Sequence, residues 1–286
     1  MFIVSLFISL MNSRIDLHLH STASDGRLTP TDVVKLAASR GLRLIALTDH
    51  DTTNGCDEAQ AQGARENLRV IAGLELNTDS DLGEVHILGY FKHIHHPKMQ
   101  NALDGLRIKR EERARQIVEK LNSIGVAITY DQVKAQAGDG AVGRPHVAHA
   151  LVANGAVGSK DAAFDLYLSS GKPGYVQRYA FHPKEAIELI RECGGVASLA
   201  HSFRSGSIQH VEKLVGWGLN AMEVYYFDHD AERIKQLKAL SKQFNLLHSG
   251  GSDFHYVNSD GFRSIGSVWA PEEVGERLWD EVEKGK

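Results

Sequence analysis

Short apolar runs alternate along the chain with segments of helical periodicity. "LRLIALTDHD", "RVIAGLELNT", "EVHILGYF", "GGVASLAHS", "NAMEVYYF" and "NLLHSGGSDFH" are apolar stretches that end in polar residues. Buried parallel strands have that pattern. Helical stretches such as "HPKEAIELIRECG" and "DAERIKQLKALSKQF" fall between several of them. "LTPTDVVKLAASRG" carries its own start and stop signals, with Thr29 as N-cap, Pro30 at the first helical position and Gly41 just past the end. Strands alternating with helices imply a parallel sheet or an α/β barrel. The chain has no internal repeat and no low-complexity tract.

The first strand, in "IDLHLHSTASDG", carries His18 and His20, with Asp25 in the turn that follows. Alternation along a strand puts Asp16, His18 and His20 on one face. An H-x-H pair alone is a weak signal, since most such pairs are satisfied polar positions. Its weight changes with the positions of the other ligand-type residues. His50 ends "ALTDH", Glu75 ends "VIAGLE", His86 lies in "EVHILG", His201 ends "VASLAH", and Asp253 and His255 close "GGSDFH". Almost every one falls at the C-terminal end of a strand. Parallel barrels and open α/β sheets build active sites at that edge, because the strand ends converge there.

Composition narrows the function classes. A chain of 286 residues accommodates one large α/β domain or a domain with an insertion. A formal net charge of −4 gives no general attraction to nucleic acid or anionic membrane, so anion binding requires a local basic cluster. Two cysteines, Cys56 and Cys193, are too few for a disulfide framework and fit a reducing cytoplasm. The opening "MFIVSLFISL" is apolar but shorter than the ~20 residues of a spanning helix, and it lacks a basic leader region. Residues 1–13 therefore read as a start-site extension or a disordered segment, with Met11 as a second candidate start.

As a set, "DLHLHSTASDG", "ALTDHDT", "GLE", "HILGY", "LAH" and "GSDFH" resemble the PHP family of metal-dependent phosphoesterases, the polymerase and histidinol phosphatase superfamily. The likeness runs from about Ile15 to the end of the chain. It is greatest to the bacterial branch that hydrolyses nucleoside 3′,5′-bisphosphates and trims short 5′-phosphorylated RNA from its 5′ end. The resemblance implies a distorted seven-stranded β/α barrel, residues 14–96 and 180–286, with a smaller helical insertion at 97–179 as substrate-binding lid. It also implies three divalent ions. His18, His20 and Asp253 would bind the first; Glu75 would bridge it to the second, which His86 and His201 complete; Asp25, His50 and His255 would hold the third. Imidazole and carboxylate without thiolate suit Mn²⁺, the leading choice, or Fe²⁺, Zn²⁺ or Mg²⁺. Relatives commonly have proline after the "LAH" histidine, where this chain has Ser202.

Substrate choice is expected in the insertion. In "ALDGLRIKREERARQIVEKLNSIG", Leu103, Leu106, Ile117 and Leu121 form one apolar stripe, with Arg110 and Arg113 on or beside it and Glu111, Glu112 and Arg115 pointing away. An unpaired buried charge costs several kcal/mol, so the two arginines must meet an anion, either a ligand or a protein carboxylate. "GRPHVAHAL" adds Arg144 and His146 at a helix start, itself an anion site. In the resembling proteins these segments bind the 5′-phosphate and nucleoside. The expected substrate is thus a nucleotide or short RNA, with no membrane and no obligate protein partner. A histidinol-phosphate phosphatase is the nearer rival and a non-catalytic metal-binding module the more distant one.

Other histidines read as ordinary. His93, His95 and His96 lie in loop-like sequence, His182 marks a helix start, and His149, His210 and His248 have no visible partners. His229 between Asp228 and Asp230 is either a cleft residue or part of a helix cap, and Asp49 and Asp51 are placed to orient His50.

Overall fold

The computed structural model describes residues 14–138, 140–177, 179, 181–256 and 264–285. The alternative start sites lie outside them. Seven strands, β1 (Ile15–Leu19), β2 (Leu44–Leu47), β3 (Arg69–Ser80), β4 (Gly83–Phe91), β5 (Val196–Leu199), β6 (Ala221–Tyr226) and β7 (Leu247–Gly251), form one sheet in sequence order. A parallel bridge from Leu19 to Phe254 and a 2.9 Å bond from the His20 N–H to the Phe254 carbonyl bring its edges together. The result is a near-closed mixed barrel.

Strand direction departs from the parallel expectation at one place. β4 runs antiparallel to both β3 and β5, while the other pairs are parallel. Ser80 pairs with Gly83, leaving a two-residue turn, and such a connection can only return the chain antiparallel. Gly83 takes φ 80° there, a left-handed conformation suited to glycine. The signal "DSDLGE" was present in the sequence. As a consequence Glu75 and His86 lie inside long strands rather than at strand ends.

Alternation along β1 separates two environments. Leu17 enters the apolar core under the outer helices, with Leu44, Ile71, Leu74, Met222 and Leu278. The opposite face turns Asp16 and His18 into the barrel, where all neighbours are buried. The helices that cover the barrel are α1 (Pro30–Ser39), α2 (Cys56–Glu66) and, later in the chain, α7 (Pro183–Glu192), α10 (Ala231–Phe244) and α11 (Glu272–Glu283). Thr29 caps α1 by accepting from the Asp32 N–H at 3.1 Å, with Pro30 in the first turn.

Between β4 and β5 lie α3 (Pro97–Ser123), α4 (Tyr130–Ala137), α5 (Arg144–Ala153) and α6 (Lys160–Ala163). Helix α3 starts at Pro97, ahead of the "ALDG" stretch, because His96 caps it and Pro97 needs no N–H partner. At 27 residues it is about 40 Å long. Met99 and Leu103 belong to the barrel core, whereas Ile117 and Leu121 join a second core with Val133, Val147, Leu151 and Leu168. One rigid helix therefore connects the two cores. The short α8 (Ser202–Ser205) and α9 (Val211–Gly216) follow β5. No helix among the described residues is long and apolar enough to cross a membrane.

Candidate metal centre and the cavity beside it

His18 is fully buried on the inner face of β1, with Nδ1 3.0 Å from Glu223 Oε1 and Nε2 3.2 Å from Glu75 Oε2. His20, just past the strand, lies 3.2 Å from Glu75 and 3.3 Å from Asp253 through Nε2. Glu75 also takes His86 Nδ1 at 2.7 Å, His201 Nε2 at 3.0 Å and His50 Nδ1 at 3.1 Å. Because β4 runs in reverse, His86 in its middle reaches the same rim as the ends of parallel strands.

Three groups have one donor atom per residue within 4.8 Å of one another: His20, Asp25, His50 and His255; His18, His20, Glu75 and Asp253; and Glu75, His86 and His201. His20 and Glu75 each belong to two groups, so the three form one cluster. All nine residues singled out in the sequence are thereby brought together.

Electrostatics and hydrogen bonding both fit divalent cations. Burial raises the pKa of Glu75, Asp25 and Asp253, yet neighbouring imidazoles hold all three well below the usual carboxylate range. His20 is lifted to about 10 against burial by its contacts with Asp253 and Glu75. Burial pushes His50 down to about 3. Protons thus carry the positive charge that the carboxylates demand, and metal binding releases protons of this kind. Both ring nitrogens of His20 and Nδ1 of His201 are buried without a well-aligned hydrogen bond. Such atoms cost free energy unless a ligand meets them. The donor set, oxygen and nitrogen without sulfur, matches hard to borderline divalent ions.

A surrounding layer positions these side chains. Asp16 accepts the Ser252 N–H at 2.9 Å, its hydroxyl at 2.7 Å and the Gly266 N–H at 2.8 Å, tying down the loop with Asp253 and His255. Burial raises its pKa to about 6. Glu223 meets His18 and also accepts the His201 N–H at 2.7 Å. This helps hold His201 at φ 26°, a strained conformation for a non-glycine residue. Tyr226 donates to Asp253 at 2.7 Å.

The Asp49 carboxylate accepts from the Ser21 N–H and hydroxyl, both at 2.7 Å, and from the Ser24 hydroxyl at 2.6 Å, so it shapes the turn leading to Asp25. Asp51 is linked to His50 through Asn77, whose Nδ2 donates to His50 Nδ1 at 3.1 Å.

Next to the cluster lies a cavity lined by Asp25, His50 and His86 together with Lys109, Arg110, Arg113, Arg144 and His146. Arg110 pairs with Asp51, Arg113 donates from Nε to the Val176 carbonyl at 2.9 Å, and Arg144 lies 3.5 Å from the Leu168 carbonyl. His146 is buried and accepts the Gly143 N–H at 3.0 Å, capping its own helix. A second, more open cavity reaches the cluster past His201, Arg204 and His255.

Residues 16–193 match the PHP domain. The chain belongs to the PHP domain family. A 5′-3′ exoribonuclease of Haemophilus influenzae is 38% identical over 272 residues, covering 91% of this chain and 99% of that one. A 3′,5′-nucleoside bisphosphate phosphatase of Chromobacterium violaceum is 34% identical over 277 residues, covering 95% and 97% respectively. The structure of an amidohydrolase from Chromobacterium violaceum, with sulfate bound and no metal, superposes with a TM-score of 0.84 at 32% identity, covering 95% of this chain and 96% of that one. The ligand-rich cluster and the family together make this chain a metal-dependent hydrolase of the PHP phosphoesterase type.

Several residues outside the PHP cluster take structural places. His96 and His182 cap α3 and α7, and His95 pairs at the surface with Asp57. His229 does not line the cleft; it is buried and its ring lies 3.0 Å from the Val224 carbonyl, while Asp230 caps α10. Sequence reading missed Glu223, Asn77, Lys109 and Arg204. Glu223, in "AMEVYY", offered one signal, a carboxylate within an apolar strand. Lys109 offered another, its place one residue before Arg110.

Proposed function

We propose that the chain hydrolyses the 3′-phosphate ester of 5′-phosphorylated nucleotides. One observation carries this reading: a single cavity is lined both by Asp25, His50 and His86 of the ligand cluster and by Lys109, Arg110, Arg113 and Arg144. A nucleoside with phosphate at both ends spans from one set to the other. The arginines hold the 5′-phosphate through charge-assisted hydrogen bonds, His146 borders the nucleoside, and the 3′-oxygen faces Asp25, His50 and His86. Residues 97–179 act as the lid that supplies this binding wall.

The nine ligand residues would hold three divalent ions, Mn²⁺ by preference, and such ions would supply Lewis acidity and lower the pKa of water from about 15.7 toward ~7. Glu75, shared by two of the groups, would contribute to both sites. Asp16, Glu223 and Asn77 hold the ligand side chains in place, which limits reorganisation during reaction. The fission itself is simple: the oxygen of water joins phosphorus, the 3′-oxygen leaves, and a proton passes to it. A bisphosphate gives a nucleoside 5′-phosphate and inorganic phosphate. RNA gives the same nucleotide and a shortened strand with a new 5′-phosphate, so one site accounts for both activities named in the relatives. Free buried Cys56 and Cys193 suit the cytoplasm.

The test uses the Mn²⁺-loaded protein with adenosine 3′,5′-bisphosphate, 5′-phosphorylated and 5′-hydroxyl oligoribonucleotides, and histidinol phosphate. Turnover of the first two and little of the others is expected. Preference for histidinol phosphate would overturn the reading.

A further inference from the structure

The second cavity is lined by six of the nine ligand residues, His50, Glu75, His86, His201, Asp253 and His255, together with Arg204 and Ser205. The first cavity meets Asp25, His50 and His86. The larger part of the candidate metal centre therefore opens into the second, and a group bound at the cluster shares that space with Arg204.

Arg204 reaches the cavity because of its place in the chain. It stands one helical turn beyond His201, and its backbone N–H donates to the His201 carbonyl at 3.0 Å. Residues at that spacing share a helix face. Phe203 anchors the turn, its ring 5.5 Å from that of buried His229. Burial lowers the pKa of Arg204, but the Tyr226 hydroxyl, Asp253 and Asp228 together raise it, so the guanidinium stays charged. Tyr226 donates to Asp253 at 2.7 Å and takes the Arg204 side chain on the same oxygen. A guanidinium carries five N–H donors in a rigid fork, more than one phenol oxygen uses. Arg204 is exposed, so the others are accessible from the cavity.

Other cations near the cluster are placed differently. Arg27 lines neither cavity; its Nη2 lies 3.2 Å from the ring of His149, whose pKa is pushed down to about 4 by burial, Arg27 and Lys160. Arg110 and Arg113 line the first cavity. Divalent ions at the cluster would meet three carboxylates, Asp25, Glu75 and Asp253, too few to neutralise three such ions. A phosphoryl group supplies negative charge there, and fixed cations around it stabilise the charge that moves onto its oxygens during attack.

We infer that Arg204 donates from the second cavity to the non-bridging oxygens of the phosphoryl group under attack, while the cations of the first cavity hold the 5′-phosphate. This rests on the function proposed above and deepens it, since each phosphate of the substrate then has its own cation. Arg204 acts on the reacting phosphate whatever the 5′ end carries.

The experiment measures kcat/KM of the Mn²⁺-loaded enzyme on adenosine 3′,5′-bisphosphate, a 5′-phosphorylated pentaribonucleotide and adenosine 3′-monophosphate, which lacks the 5′-phosphate. Arg204→Ala should lower all three values by a similar factor, about ten- to a hundredfold, and Arg204→Lys should recover part of the loss. Calorimetric titration of inorganic phosphate into metal-loaded and metal-free protein isolates binding at the cluster. That Mn²⁺-dependent affinity should fall about tenfold in Arg204→Ala, with metal content by mass spectrometry unchanged. A loss confined to the two 5′-phosphorylated substrates, an unchanged phosphate affinity, or a fall in metal content overturns the assignment. Wild-type protein inert on all three substrates overturns instead the function on which it rests, and the phosphate titration then decides the role of Arg204 by itself.

Discussion

Arg110 donates from Nε to Asp51 Oδ2 at 2.6 Å, although the two residues lie on different parts of the molecule, α3 and the loop after His50. Asp51 also accepts the Asn77 N–H at 2.9 Å and its side-chain amide at 3.2 Å, and that amide reaches His50. A cavity cation is thus connected through two side chains to a residue of the ligand cluster. The carboxylate settles the anion that Arg110 required, and it sets the guanidinium at the cavity wall.

Arg110→Ala should therefore weaken recognition of the 5′-phosphate. A hydrogen bond to a charged group contributes about 1.5–3 kcal/mol, equivalent to roughly ten- to a hundredfold in KM. Turnover of a 5′-hydroxyl oligonucleotide should change far less. Steady-state kinetics on matched 5′-phosphate and 5′-hydroxyl substrates checks this, and retention of full discrimination would count against the assignment.

Glu223 lines neither of the two cavities described, yet it holds the Nδ1 side of His18 and the backbone of His201. Glu223→Gln keeps the shape and removes the charge. A loss of about 10–100-fold in metal affinity or activity is expected, as for other residues that orient ligands. Metal content after dialysis, measured by mass spectrometry alongside rates at saturating Mn²⁺, separates weakened binding from damaged chemistry.

Chelation should abolish activity and Mn²⁺ should restore it. It should also lower thermal stability, because ions bind the folded cluster and not the unfolded chain. At a free ion concentration 100 times Kd the stabilisation is about 2.7 kcal/mol per independent site. Scanning calorimetry with and without Mn²⁺ reads the shift, and a Tm that ignores the metal would contradict a folded ion cluster.

His149 sets a pH dependence. Its folded pKa, about 4, lies below its ordinary value of 6.5, so the folded state binds fewer protons between those limits. The associated stability is present above pH 6.5 and declines as pH falls toward 4. Partial exposure of the ring weakens the effect by solvent screening. Denaturation midpoints of the metal-loaded wild type and His149→Gln at pH 7.5 and 5 should show the smaller decline in the variant.

Legibility in the sequence followed how local each cause was. The period-two alternation of "IDLHLH" placed Asp16, His18 and His20 on one face, and strand ends announced His50, His201 and Asp253. The helical stripe in α3 found Arg110 and Arg113 at the cavity, but the partner of Arg110 lies 59 residues away and no local pattern points to it. The reversal of β4 is written in a two-residue turn, but the apolar runs on either side read the same in both directions and so do not announce it.

The chain by itself determined which residue types are available and which face of each strand or helix they occupy, because those depend on the geometry of neighbouring residues alone. Tertiary structure decided which faces meet. Closure of the barrel made Glu75 and His20 common to two ligand groups, put Glu223 behind His18, turned His86 toward the rim, and set Arg27 against His149. Those contacts join segments far apart in sequence, and only the packing of the whole core selects among the many pairings that local patterns permit.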